Sequence, residues 1–469
     1  MTLPRLHRRF TQLLCALIGC LIIWGAWLVL PHPVLVVALA LVPVVGFIAL
    51  KFPFLMVLGF VIFSFFRIHE VFPQLYPLRI PQLLAMGTLA SLAFNFTTQR
   101  IKIYWRDELS VFMIFFSLVT IGVFLATNRS EAMGSWSGTY VKIMIMVFAI
   151  AWLSQSIRSF AILIYSMLGA GVVVGAVTLS NKIKGIGLVE GTRVTIGRDI
   201  GSMLGDPNDL ALVLLFPASF ALALIFTPKS GWLAKLCGIL CFITVLSAII
   251  ATQSRGGLLG ITAVMSVFGY RKIKNKALFF SLGGIALVCL FILAGVSDRA
   301  SGGAHEEGID ESAMGRIHAW NAAIGMALHH PLTGVGINNF LSNYYMYSDF
   351  WDGKNHAVHS TWFGVLAETG LLGLLIFLGL IFLLLRNGLN TMNRLQNHPS
   401  PIANAMAQAV FAGLIGFCTS GTFLTMGFTW PVYILLSLSV AISHFAQSHS
   451  PIASQNATTP TTQKHNTLK

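Results

Sequence analysis

Arg271-Lys272-Ile273-Lys274-Asn275-Lys276 is a short basic turn set between two apolar runs, residues 256 to 270 and 277 to 296. Its cations cannot rest in hydrocarbon, whereas the runs beside it have the length and composition to cross a bilayer. Cytoplasmic loops hold the excess of Lys and Arg, so this turn is predicted inside and sets the side of every other loop. Working outward from it, apolar runs read as spans at 11 to 30, 33 to 50, 52 to 66, 79 to 96, 109 to 126, 137 to 154, 159 to 180, 209 to 227, 232 to 251, 360 to 385, 402 to 422 and 427 to 446. The fold class is all-α: a polytopic integral membrane protein of about 12–14 transmembrane helices, the range reflecting the short third and tenth runs. The first run follows Arg5, Arg8 and Arg9, and with no small-residue cleavage site before Pro31 it reads as a retained helix.

Composition agrees. Of 469 residues, 56% are hydrophobic and 10% charged, against about 25% charged in soluble domains. Residues 1–446 read as one integral membrane domain. The segment 447–469, rich in Ser, Thr, Asn, Gln and Pro, reads as a disordered cytoplasmic tail. All six cysteines fall inside apolar runs, where they act as small hydrophobes; Cys237 and Cys241 have i, i+4 spacing but no accompanying histidine.

The formal charge of +14 is a topology signal rather than a mark of nucleic-acid binding. Lys51, Arg100, Lys102, Arg106, Arg158, Lys229, Lys235, Arg386 and Arg394 all fall on the predicted inner side. Two long polar segments, 181 to 208 and 297 to 359, fall outside and break the rule with Lys182, Lys184, Arg193, Arg198, Arg299, Arg316 and Lys354, while Arg255 stands at an outer helix end. An anionic ligand is the simplest reason for cations placed against the bias.

The outer segment 297–359 carries the candidate chemistry. Arg316, followed by Trp320 and Ile324 at i+4 and i+8, fits a short amphipathic helix on the membrane surface; its alternative is a loop arginine paired with Glu311 or Asp310. Arginine forks suit phosphate oxygens, and Gly256 and Gly257 after Arg255 permit close backbone approach. His359, at the start of an apolar run, is a candidate general base, with interfacial placement as the plain alternative. His356 competes with it. Histidines 329, 330, 356 and 359 invite a zinc reading, but the His-Glu-x-x-His spacing is absent and no metal or other cofactor is expected. Glu368, inside an apolar run, needs a partner and reads either as half of a structural salt bridge or as a supporting site residue, alongside Arg193, Arg198 and His356.

Ser254-Arg255-Gly256-Gly257, Gly315-Arg316-Ile317-His318-Ala319-Trp320, Pro331-Leu332-Thr333-Gly334-Val335-Gly336, and His359 followed by Leu366-Ala367-Glu368-Thr369-Gly370-Leu371-Leu372-Gly373 together resemble the O-antigen ligase family, over about residues 206–373. Asp206-Pro207-Asn208-Asp209-Leu210-Ala211 also looks like members of it. That family includes ligases acting on lipid A core, polymerases and protein O-oligosaccharyltransferases. The resemblance implies metal-independent, inverting transfer of a glycan from undecaprenyl pyrophosphate to an acceptor hydroxyl, at the periplasmic face of a bacterial inner membrane. The acceptor implied is lipid A core, with a growing glycan or a protein as alternatives. Arg255 and Arg316 become pyrophosphate ligands and His359 the catalytic base. One departure stands out, since the family commonly has Asn after this histidine and Ser360 follows here. The competing class is a lipid-linked glycan flippase or transporter; against it, polar residues gather in outer segments rather than at the midplane, and no repeat is visible.

Overall fold

The computed structural model describes residues 46–294 except 48, then 305–306, 309–351 and 353–448, with isolated positions between 17 and 28. Nearly all of the runs at 11 to 30 and 33 to 50, Arg299, and the tail beyond 448 lie outside the described residues.

Each apolar run from residue 52 onward is a helix. In order these are α1 (Pro53–Phe65), α2 (Ile80–Thr97), α3 (Asp107–Leu125), α4 (Arg129–Leu153), α5 (Ile157–Lys184), α6 (Pro207–Phe226), α7 (Trp232–Thr252), α8 (Arg255–Lys272) and α9 (Lys276–Leu293). Two further helices, α10 (Glu311–His329) and α11 (Phe340–Tyr347), lie in the long outer segment, before α12 (Thr361–Leu395), α13 (Pro401–Ser420) and α14 (Trp430–Ser448). Among the described residues, nine helices are long and apolar enough to cross a membrane. The chain is an all-α, multi-pass membrane protein.

The starts of these helices follow from side-chain chemistry. Asp206, Ser254, Asn275, Ser360 and Ser400 each accept a hydrogen bond from a first-turn N–H, and Pro207 and Pro401 occupy first positions where no N–H is needed. Close packing then relies on small residues, as in other membrane bundles. A Cβ on Gly260 of α8 would stand 2.5 Å from Leu215 of α6, and one on Gly416 of α13 would stand 2.5 Å from Val264 of α8. Helix α6 lies at the centre, almost wholly buried.

The basic loops gather at one end. Arg106 grips Glu108 through Nε (3.1 Å) and Nη2 (3.3 Å), and Asn387 of α12 donates to Glu108 at 2.8 Å. Arg271 donates to Gln396 at 3.3 Å, and Gln155 to the Lys102 carbonyl at 3.2 Å. At the opposite end lie the segments 185–206, 253–254 and 309–360 and the turn at 421–429.

The outer segment is packed, with its own small core of Ala319, Ala322, Ala323, Met326, Val335, Phe340, Tyr344, Val358 and Ala367. Arg316 lies on a helix with a buried and an exposed face, as expected, but Trp320 and Ile324 do not share a face of it. Its buried stripe is the row of small residues at 319, 322, 323 and 326, and Trp320 stacks inward on Phe363 (4.9 Å), while Ile317, Ile324 and Leu328 form the exposed face. The spacing signal from Trp320 and Ile324 mixed two faces, because neither alanine nor methionine stood out as the apolar stripe.

Candidate functional site

The site begins where two helix N-termini are tied together. Asn208, in the first turn of α6, accepts from Ser254 Oγ (2.8 Å), the residue that caps α8. The same Asn208 oxygen accepts from Arg193 Nη2 at 3.0 Å. Arg193 is buried, donates through Nε to the Thr252 carbonyl (3.4 Å) and faces Glu190 (3.7 Å). It therefore works as an internal tie between the 185–194 hairpin and the two helices. Arg198 is exposed and donates to the Gly205 carbonyl (3.3 Å), just before Asp206. Adjacent helix N-termini present positive potential, which favours an anion.

Arg255 is the first residue of α8. Next to it Gly256 packs on Phe423: a Cβ there would lie 3.3 Å from Phe423 Cβ. On the same phenyl ring rests the Arg316 guanidinium, 5.9 Å from the ring centroid, in cation–π geometry. One aromatic side chain thus packs on the first turn of α8, next to Arg255, and carries the guanidinium of Arg316, 61 positions further along the sequence.

His359 is held from both sides. The Val358 carbonyl accepts from Trp320 Nε1 (3.0 Å), which docks this extended segment onto α10, and Ser360 caps α12. Between them His359 adopts φ 43°, in the left-handed region. For a residue with a Cβ that conformation costs about 1–2 kcal/mol and persists only where the surroundings impose it. Burial pushes the His359 pKa below the ordinary 6.5, the Arg316 cation and His356 push the same way, and the Asp206 carboxylate opposes them. The imidazole is consequently neutral near pH 7 and open to a proton. His356 lies beside Tyr344, ring centroids 5.6 Å apart.

Glu368 sits elsewhere. Its carboxylate accepts the backbone N–H of Phe340 (3.3 Å) at the start of α11, so its partner is the backbone rather than a cation. The two glycine-rich motifs around it explain each other. Val335 and Gly336 donate to the carbonyls of Ala367 (2.9 Å) and Glu368 (3.2 Å), and Leu371 donates to Pro331 (2.8 Å) across the kink that Gly370 makes in α12 at φ 71°. A Cβ on Gly334 would stand 2.4 Å from the Ala367 carbonyl, and one on Gly370 would stand 2.5 Å from that of Pro331. This is scaffold, and it positions the arms that carry Arg316 and His359.

Among the described residues, no three His, Cys, Asp or Glu gather in a metal-binding group. Sequence reading singled out Arg255, Arg316, His356 and His359, and the structure brings them to one end of the bundle. It missed Phe423, Trp320 as a tether, and the part played by Asp206 and Asn208. Phe423 carries no local signal at all, being one of 35 phenylalanines.

Comparison with known protein families points the same way. Residues 240–378 match the family described as O-Antigen ligase. The matched O-antigen ligase region contains Arg255, Arg316, His359 and both glycine-rich motifs, and it leaves the Asp206 stretch outside. The chain is also 29% identical over 193 residues to the exopolysaccharide production protein ExoQ of Rhizobium meliloti (strain 1021). That alignment covers 37% of this chain and 42% of the relative, so it spans less than half of either.

Proposed function

We propose that the chain is a membrane glycosyltransferase that moves a glycan from undecaprenyl pyrophosphate to an acceptor hydroxyl at the periplasmic face of the inner membrane. The observation that carries this reading is that Phe423 packs on the first turn of α8, where Arg255 stands, and holds the Arg316 guanidinium, at paired helix N-termini and near a neutral His359. The acceptor O–H bond breaks as its proton passes to the His359 imidazole. The oxygen then bonds to the anomeric carbon from the face opposite the diphosphate, which leaves with the bonding electrons, so configuration inverts. The two guanidinium forks take up the charge that develops on the diphosphate oxygens. Diphosphate is already a stabilised leaving group, so alignment and charge neutralisation are the main tasks.

Lipid A core is the acceptor we assign. A second reading, in which the acceptor is the end of a growing exopolysaccharide, is favoured by the similarity to ExoQ, a relative named for exopolysaccharide production. Deleting the gene tests both. Loss of glycan from lipid A core supports the ligase, and loss of exopolysaccharide with intact core glycosylation supports the polymerase. Lipid-linked glycan trapped on the inner leaflet would overturn both in favour of a flippase.

A further inference from the structure

The turn between α10 and α11 sits deeper than its place in a polar segment suggests. Two rulers, one along each of two helices, give its distance from the basic end. Along α12, Arg386 is exposed and its neighbour Asn387 joins the Arg106–Glu108 pair, which marks the boundary at the basic end. At 1.5 Å per residue, Leu371 lies only about 22 Å from Arg386, and the Pro331 carbonyl is bonded to the Leu371 N–H at 2.8 Å. Along α3, which starts at that same boundary with exposed Asp107, Gly122 is again about 22 Å away. A Cβ on Gly122 would be 3.5 Å from the Thr333 carbonyl. The hydrocarbon core is about 30 Å thick. Both rulers therefore stop roughly 8 Å short of the far boundary, and any helix tilt shortens the vertical distance further.

Irregular backbone survives at such depth only where protein satisfies its polar groups. Here it is satisfied. The Pro331 carbonyl takes the N–H of Leu371, the Val335 carbonyl takes that of Thr127 (3.1 Å), and the N–H groups of Gly334, Val335 and Gly336 go to His330, Ala367 and Glu368. Three large apolar side chains stand open there, Leu328 at 75% exposed, Leu332 at 66% and Met346 at 75%, next to the polar His329 and Asp349. Leu332 follows the Pro331 bonded to α12, and α12 continues beyond that point with an exposed row at Leu371, Leu375, Leu378 and Phe382, the helical stripe of a lipid-facing span.

We propose that the α10–α11 hairpin is re-entrant, with its turn Pro331–Gly336 lodged in the leaflet at the site end and with Leu328, Leu332 and Met346 covered by lipid acyl chains. The hairpin then anchors α10, and with it Arg316, at a set height relative to the lipid headgroups. The inference stands whether or not the chain is a glycosyltransferase.

The test is collision accessibility of single nitroxide labels on the full chain, its native cysteines replaced by serine, in phosphatidylethanolamine/phosphatidylglycerol vesicles. Labels are placed at Leu328→Cys and Leu332→Cys, with Leu375→Cys as a lipid reference and Lys354→Cys as a water reference. Labels at 328 and 332 should match 375, reached by oxygen and shielded from a water-soluble nickel chelate. Chelate access like that at 354 overturns the proposal, and shielding from both reagents overturns it in favour of a protein cover. A second measurement needs no substitution: a phospholipid with a photoreactive acyl chain, irradiated with the unmodified protein, should leave adducts on residues 324–332. Adducts confined to the 375–382 stripe would overturn the proposal.

Discussion

Two polar centres lie at opposite ends of this bundle, and they are built on different principles. At the basic end Arg106, Glu108 and Asn387 form a closed knot, in which a bidentate guanidinium and an amide take up a fully buried carboxylate. At the site end Phe423 carries the Arg316 guanidinium beside the first turn of α8, where Arg255 stands, and a nearby histidine is kept neutral by burial and by Arg316. A buried carboxylate that meets one cation in matched geometry completes itself. Cations gathered near a neutral base are the arrangement that the proposed transfer requires. The comparison teaches that polarity inside a membrane protein marks chemistry only when its charges and geometry point toward incoming substrate.

The sharpest way to break this contrast is His359→Ala. Loss of proton transfer should cut turnover about 10²- to 10⁴-fold while donor binding survives, measured as separate binding and rate constants on purified protein. If His356→Ala is inactive and His359→Ala turns over normally, the base is His356 and the strained φ at 359 serves another purpose. At the knot the expected loss is of stability. Glu108→Ala leaves the half-buried Arg106 without its carboxylate and should cost about 3–5 kcal/mol at most, seen as a lower melting temperature in detergent, with the rate constant of the folded fraction unchanged. A catalytic loss in the folded fraction would mean that the two ends are coupled.

Arg255→Lys and Arg316→Lys keep charge but lose the planar fork, so each should weaken donor binding by about 10- to 100-fold, the worth of a charge-assisted hydrogen bond. Normal donor binding in both variants would remove the arginines from the diphosphate. A smaller effect is expected in the pH profile. Turnover needs neutral His359, so the acidic limb should fall below pH 6.5. Asp206→Asn, which retains a competent helix cap, removes the one charge that raises the His359 pKa and should move that limb to lower pH still. A shift upward would show that Asp206 does not act on this histidine. Chelation by EDTA should leave turnover unchanged; loss restored by one divalent metal would turn His356 and His359 into metal ligands.

Much of this was legible in the chain. Apolar runs from 52 onward coincide with helices because a span must satisfy its backbone internally and bury its side chains in lipid, both of which are local demands. Their starts were legible too, in Asp206-Pro207, Ser254 and Ser400-Pro401. Arg255, Arg316 and His359 stood out because each breaks a rule of composition or topology at its own position. The glycine-rich motifs around Gly334 and Gly370 were visible as motifs, yet nothing local said that they are two halves of one joint.

Sequence by itself determined the membrane class, the order of the spans and the gathering of basic loops at one end, since hydrophobic length and charge are properties of single segments. Tertiary structure alone decided that Phe423 holds the Arg316 guanidinium against the first turn of α8, that Arg193 is a tie, that Glu368 serves the backbone of α11, and that Pro331–Gly336 packs between α3 and α12. Those outcomes depend on contacts between residues tens to hundreds of positions apart, and such contacts exist only once the helices have packed.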